Sequence, residues 1–119
     1  MQFELKRLEP VLIKIQGKEY PARLPFKAAK ELAEMWGVKY FDLFDKLAGG
    51  AFEIDEIFDC LFVTLKAGGV KGIKREMFDD MDHDAEFISV CASAIVELFD
   101  RTQIVESELQ DEKQGEKKT

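Results

Sequence analysis

The stretch IDEIFDCLFVTLKA, Ile54 to Ala67, constrains this chain more than any other. Ile54, Ile57, Phe58, Leu61, Phe62 and Leu65 keep the i, i+3, i+4, i+7, i+8, i+11 spacing of one helix face without a miss. A stripe that wide is unfavourable in water, so the remaining segments must cover it. The chain has 119 residues, the size of one domain. It is 46% hydrophobic with ten Phe, which supplies a core without disulfide staples.

The covering segments are legible by their periods. In VLIKIQ, Val11, Ile13 and Ile15 share one face of a strand, and in EYPARL so do Tyr20, Ala22 and Leu24. Between them lies Gln16-Gly17-Lys18-Glu19. Gly17 at the first central position suits a type II′ two-residue turn, where φ is positive. Pro21 has no N–H and marks its strand as an edge. QFELK alternates Phe3 and Leu5 with polar neighbours and adds a candidate third strand.

Pro25 opens a helix with Ala28, Leu32 and Met35/Trp36 at helical spacing, and Gly37 suits its left-handed C-terminal cap. Tyr40 to Ala48 reads as a short helix with Phe41, Phe44 and Ala48 on one side, stopped by Gly49-Gly50. Gly68-Gly69 ends the helix from Ile54. IKREMFDDM is a short helix with Ile73, Met77, Phe78 and Met81 inward. A last long helix carries Phe87, Ile88, Cys91, Ile95, Leu98 and Phe99, with Asp82 or Asp84 as its cap. The fold class is therefore α+β and predominantly α-helical: an N-terminal β-hairpin, or three short strands, followed by about five helices. Residues 1–105 form one globular domain. From Glu106 the sequence is highly charged with a single Leu, so 106–119 is expected to be a disordered tail or a frayed helix end.

Charge and cysteine usage narrow the function. A net charge of −7 with a pI near 4.8 argues against nucleic acid and anionic membranes as partners, because both are bound by clustered Lys and Arg. Cys60 and Cys91 each sit in an apolar helical stripe with no CxxC spacing, so they read as buried free thiols. No apolar run reaches the ~18 residues of a membrane span. MQFELKRLEP lacks the apolar core of a signal peptide, so a cytosolic location is expected.

Candidate chemistry is sparse. Asp80, Asp82 and Asp84 match the first positions of a calcium loop, but Ala85 stands where Gly is required and Cys91 where a bidentate Glu is required. Helix termination followed by an N-cap accounts for these acids better. His83 is the only histidine and has no second ligand for zinc. Ser89, Ser93 and Ser107 lie in no GxSxG elbow. AGGVKG, Ala67 to Gly72, follows a helix and lacks the GK[ST] ending of a phosphate loop. No enzyme activity, metal or cofactor is expected. The remaining signal is aromatic density. MWGVKYFDLF holds Met35, Trp36, Tyr40, Phe41 and Phe44 within ten residues. Core packing takes most such residues, and whatever a small domain leaves unenclosed is an interface of the composition partners favour.

The order of these features carries a resemblance. The hairpin KIQGKEYPARL, with its G-K-x-Y turn, enters PFKAAKELAEMWGV. YFDLFDKLAGG, the long apolar helix, GGVKGIKREMFDDMDHD and a last helix to Arg101 follow. Over residues 10–102 this resembles the tail assembly chaperones of long, non-contractile-tailed bacteriophages and prophages of Gram-positive hosts. The resemblance rests on size, element order and the hairpin. It implies a non-structural helper in the host bacterial cytoplasm, absent from the virion. Such a helper binds the hydrophobic, helical tape-measure protein and keeps it soluble until tail-tube subunits polymerise around it. It also implies a second form lengthened by programmed ribosomal frameshifting, whose extension recruits tail-tube protein. Glu116-Lys117-Lys118 can be encoded GAA-AAA-AAG, which contains a slippery A-AAA-AAG heptamer. On this reading the client-binding surface is Met35, Trp36, Tyr40, Phe41 and Phe44, and the partners are the tape-measure protein, the tail-tube protein through the extended form, and further copies of the chain. The alternative is a small acidic adaptor or a DNA-mimic regulator. Interleaving of Lys30, Glu31, Glu34 and Lys39 weakens the DNA mimic, which needs an unbroken acidic face.

Overall fold

The computed structural model describes residues 8–49, 52–82 and 84–117, with the side chains of the last helix described to Arg101. The chain is α+β and mainly helical, with the order β1 (Val11–Ile15), β2 (Lys18–Ala22), α1 (Phe26–Trp36), α2 (Tyr40–Gly49), α3 (Ile54–Ala67), a single 3-10 turn (Arg75–Phe78) and α4 (Ala85–Lys117). Four α-helices and one 3-10 turn thus stand, among the described residues, where about five helices were expected. The candidate strand at Phe3 and Leu5, residues Gly50 and His83, and the end of the charged tail lie outside the described residues.

The β-hairpin is antiparallel with Ile15 opposite Lys18 and Val11 opposite Ala22. The two-residue turn is therefore Gln16-Gly17, one residue earlier than expected. Gln16 (φ 51°) and Gly17 (φ 84°) are both left-handed, so the turn is type I′ rather than II′. Both registers keep Val11, Ile13 and Ile15 on the face of Tyr20 and Ala22. Hydrophobic patterning alone therefore did not separate them. That face lies on the core, with Val11, Ile13 and Ala22 buried.

Pro25 sits at the N-cap of α1, and its carbonyl accepts the Ala29 N–H at 3.0 Å. At the other end Gly37 (φ 64°) closes a Schellman motif. Its N–H donates to the Glu34 carbonyl and that of Val38 to the Ala33 carbonyl. The motif turns the chain into α2 within three residues. In α2 the inward residues are Leu43 and Leu47, not Phe41 and Ala48, which face solvent. Both rows fit a helical period. The i, i+4 leucine pair won because it fills the core between α1 and α4.

α3 is the centre of the molecule, packed against α1, α4, β2 and the 3-10 turn. Its buried surface is wider than the stripe. Cys60, Val63 and Thr64 are buried as well, while Ile54 is exposed in the first turn. The hidden Thr64 hydroxyl is satisfied by donating to the Cys60 carbonyl at 2.7 Å. Glu56 reaches back to accept the Glu53 N–H at 2.9 Å and pairs with Lys46 of α2. Partial burial pushes the Glu56 carboxyl up, but these donors outweigh it and hold it below its ordinary value.

The segment Ile73–Met81 forms one 3-10 turn instead of a longer helix, and Met77 points outward while Phe78 is buried and stacked on Phe58. Side chains three residues apart eclipse in a 3-10 turn, so within the turn itself only Phe78 is buried, while Ile73 and Met81 on either side of it pack half-buried against the core as expected. Arg75 anchors the turn. Its Nε donates to Asp59 at 2.7 Å, Nη1 to Asp79 at 3.2 Å and Nη2 to the Asp55 carbonyl at 3.3 Å, and its guanidinium lies over the Phe58 ring. Asp84 caps α4, accepting the Phe87 N–H at 2.7 Å. Cys91, Ala94, Ile95, Leu98 and Phe99 of α4 then close the core. The α4 backbone continues as helix through the charged residues 106–117. Its Glu, Gln and Lys residues are good helix formers.

Candidate functional site

The aromatic residues form a ladder rather than a cluster. Phe99 of α4 is buried, and Phe44 of α2 lies on it at 5.6 Å between centroids. Tyr40 meets Phe44 edge-on at 4.8 Å and 71°. Tyr40 then touches two outer rings, Phe41 at 5.5 Å and 77°, and Phe26 of α1 at 5.2 Å. Phe41 is 79% exposed and Phe26 65% exposed. Edge-to-face contacts of this kind add about 0.5–1.5 kcal/mol per pair beyond burial when enclosed. The outer rings are thus held in place by Tyr40 and rooted in the core, with their faces open.

The Gly37 cap makes this arrangement. It brings the first turn of α2 back to the first turn of α1, so Tyr40 reaches Phe26. Phe26 is the residue that the sequence reading did not include. It stands three residues before the buried Ala29, one turn before the core row begins, and that overhang was its only signal. The exposed charges of Lys27, Lys39, Asp42 and Asp45 flank the rings in sequence.

The five expected residues separate. Tyr40, Phe41 and Phe44 belong to the ladder. Trp36 turns toward α3, donating its indole N–H to Asp59 Oδ2 at 2.8 Å, with the Lys46 ammonium over its ring. Met35 is exposed on α1 and takes no part in the ring contacts. Asp59 thus accepts from both Trp36 and Arg75 and ties α1 and the 3-10 turn to α3.

The other sequence candidates are placed as follows. Asp80, Asp82 and Asp84 are exposed, and no group of His, Cys, Asp and Glu among the described residues could hold a metal ion. Ser89 and Ser93 are exposed on α4. Cys60 and Cys91 are free and buried. Burial pushes the Cys91 thiol up to about 11 and that of Cys60 further still. Thiols held protonated in this way are poor nucleophiles. No helix among the described residues is long and apolar enough to cross a membrane. Comparison with known proteins finds no matching family, curated protein or solved structure.

Proposed function

We propose that this chain is a non-enzymatic tail assembly chaperone of a long, non-contractile-tailed phage or prophage, acting in the host bacterial cytoplasm. It binds the hydrophobic tape-measure protein and keeps it soluble during tail assembly. The observation that supports this most is the ladder that leaves Phe26 and Phe41 open to solvent while Phe44 and Phe99 fix it to the core. An amphipathic client helix laid across the outer rings would bury them, at about 1.5–3 kcal/mol per fully covered Phe. The net charge of −7 would keep the loaded complex in solution by repulsion. The resemblance in element order supplies the identity of the client.

Phe26→Asp and Phe41→Asp test the surface, because both side chains already face water and neither is part of the buried core. Coexpressed with the tape-measure protein, each is expected to leave its circular dichroism unchanged while the client moves from the soluble fraction to the pellet. A folded double variant that still solubilises the client would refute the reading. Solubilisation of a tape-measure segment also separates a chaperone from a small acidic adaptor or DNA mimic, which would ignore it. The extended form is tested in the gene. A slippery heptamer at Glu116–Lys118, with an overlapping frame leading on to a long helical reading frame, is expected; synonymous disruption of the heptamer is expected to abolish the longer product.

A further inference from the structure

The two outer edges of the hairpin differ. Ile15 and Lys18 close a two-residue turn, so hydrogen-bonded pairs alternate from there: Ile15 with Lys18, Ile13 with Tyr20, Val11 with Ala22. Leu12 and Lys14 of β1, like Glu19 and Pro21 of β2, then direct their backbone polar groups outward. The β2 side is closed beyond Glu19. Pro21 has no N–H, its carbonyl lies against Gly68 at the end of α3, and the next outward residue, Arg23, donates its N–H to the Thr64 carbonyl at 2.9 Å. On β1 the outward groups of Leu12 and Lys14 have no hydrogen-bond partner among the described residues.

A groove of about 300 Å³ runs beside this open edge, between Leu12 and the α4 residues Ser89, Val90, Ser93, Ala94 and Glu97. Leu12 is 58% and Val90 41% exposed. An unpaired strand edge with an apolar flank is a template for another strand. β1 carries a single charge, Lys14, and among the described residues neither a proline nor a bulge blocks it.

The geometry points to a second copy of this chain as the occupant. β1 of each copy pairs antiparallel with β1 of the other about a two-fold axis at Ile13. The axis sets Leu12 of each copy opposite Lys14 of the other. These are the residues whose N–H and C=O groups point outward, so both donors and both acceptors of each copy are satisfied at once. Ile13, whose polar groups serve the Tyr20 pair, falls where the new ladder needs none. On the outer face the aliphatic stem of Lys14 covers Leu12, and no like charges meet. The two hairpins become a four-stranded sheet, a sturdier unit than an isolated pair of strands. The short side chains of Ser89, Ser93 and Ala94 leave room for the approach of the second copy along α4. The inference does not depend on the client reading, because the ring ladder lies on α1 and α2 and not on β1.

Sedimentation equilibrium of the full chain over a concentration series, with residue-resolved amide exchange by NMR, tests the proposal. The expected result is a species of twice the 13.6 kDa chain mass, with the Leu12 and Lys14 amides protected and losing protection on dilution. Leu12→Pro removes an outward N–H together with the outer-face leucine side chain, opposite the proline that β2 already carries. It is expected to raise the dissociation constant about tenfold or more. Val90→Asp, on the groove wall, is expected to weaken the dimer without altering the strand. A monomer at every concentration overturns the proposal. So does a dimer in which those two amides exchange freely, or their protection in a monomer, which would assign the edge to residues 1–7 of the same chain. A dimer indifferent to both substitutions overturns it equally.

Discussion

Gly68→Ala is expected to push the hairpin off α3. Gly68 has φ −74° and ψ −8°, ordinary right-handed values that alanine adopts freely. By intrinsic preference alone, alanine at a helix end would be neutral or mildly stabilising, since it loses less backbone entropy. The tertiary contact reverses that sign. A Cβ on Gly68 would lie 2.1 Å from the Pro21 carbonyl oxygen and 2.7 Å from its carbon. Both are backbone atoms, so no side chain can swing aside, and β2 must retreat by roughly 1 Å to reach ordinary contact. That displacement stretches the bond from Arg23 N–H to Thr64 O, now 2.9 Å, beyond hydrogen-bonding range. Overpacking of this kind costs about 1–3 kcal/mol and the lost bond about 1 more, for a total of about 2–4 kcal/mol. Urea unfolding followed by circular dichroism is expected to show a lower midpoint with an unchanged slope, and Tm is expected to fall by roughly 8–16 °C. Amide exchange at Arg23 is expected to accelerate. Gly69→Ala is the control. Its φ of +98° disfavours alanine, but nothing lies within 4 Å of the added Cβ, so stability falls with Arg23 still protected. A neutral or stabilising Gly68→Ala would refute the close approach of β2 to α3.

Asp59→Ala strips the acceptor from both the Trp36 indole and the Arg75 guanidinium and is expected to cost about 2–3 kcal/mol, with a red shift of Trp36 emission; a loss under ~0.5 kcal/mol with unchanged emission would show the network to be idle. Gln16→Asn is expected to stabilise the hairpin by about 0.5 kcal/mol, since Gln16 holds φ 51° and Asn tolerates the left-handed region better; chemical denaturation reads it directly, and a lower midpoint would contradict the type I′ assignment. The buried thiols set an alkaline limit. The native Cys91 thiol titrates near 11 against an ordinary value of 9.0, so the unfolded chain releases its proton first; stability is complete below 9.0 and declines as pH rises toward 11. Cys91→Ala is expected to flatten that decline in unfolding curves measured across the interval, and an unchanged slope would count against it.

Much of the fold is local information. Six apolar residues at helical spacing forced α3 to the centre. Asp84 and Gly37 terminate helices through hydrogen bonds that span three to five positions. Such features depend on near neighbours only, and sequence carries them. The turn register was less legible because two pairings bury the same face. Deciding between them required the two φ angles at Gln16 and Gly17.

The aromatic site divides along the same line. Sequence by itself determined that Met35, Trp36, Tyr40, Phe41 and Phe44 crowd within ten residues, and that the chain carries a net charge of −7. Which rings stay outside was decided by tertiary structure. Leu43 and Leu47 took the core, Trp36 went to Asp59, and Phe26 came to Tyr40 across the Gly37 turn. The physical reason is that helical periodicity reports only which residues share a face. Whether that face meets water depends on the volume left by other elements, and residues 26, 40 and 99 become neighbours only when those elements pack.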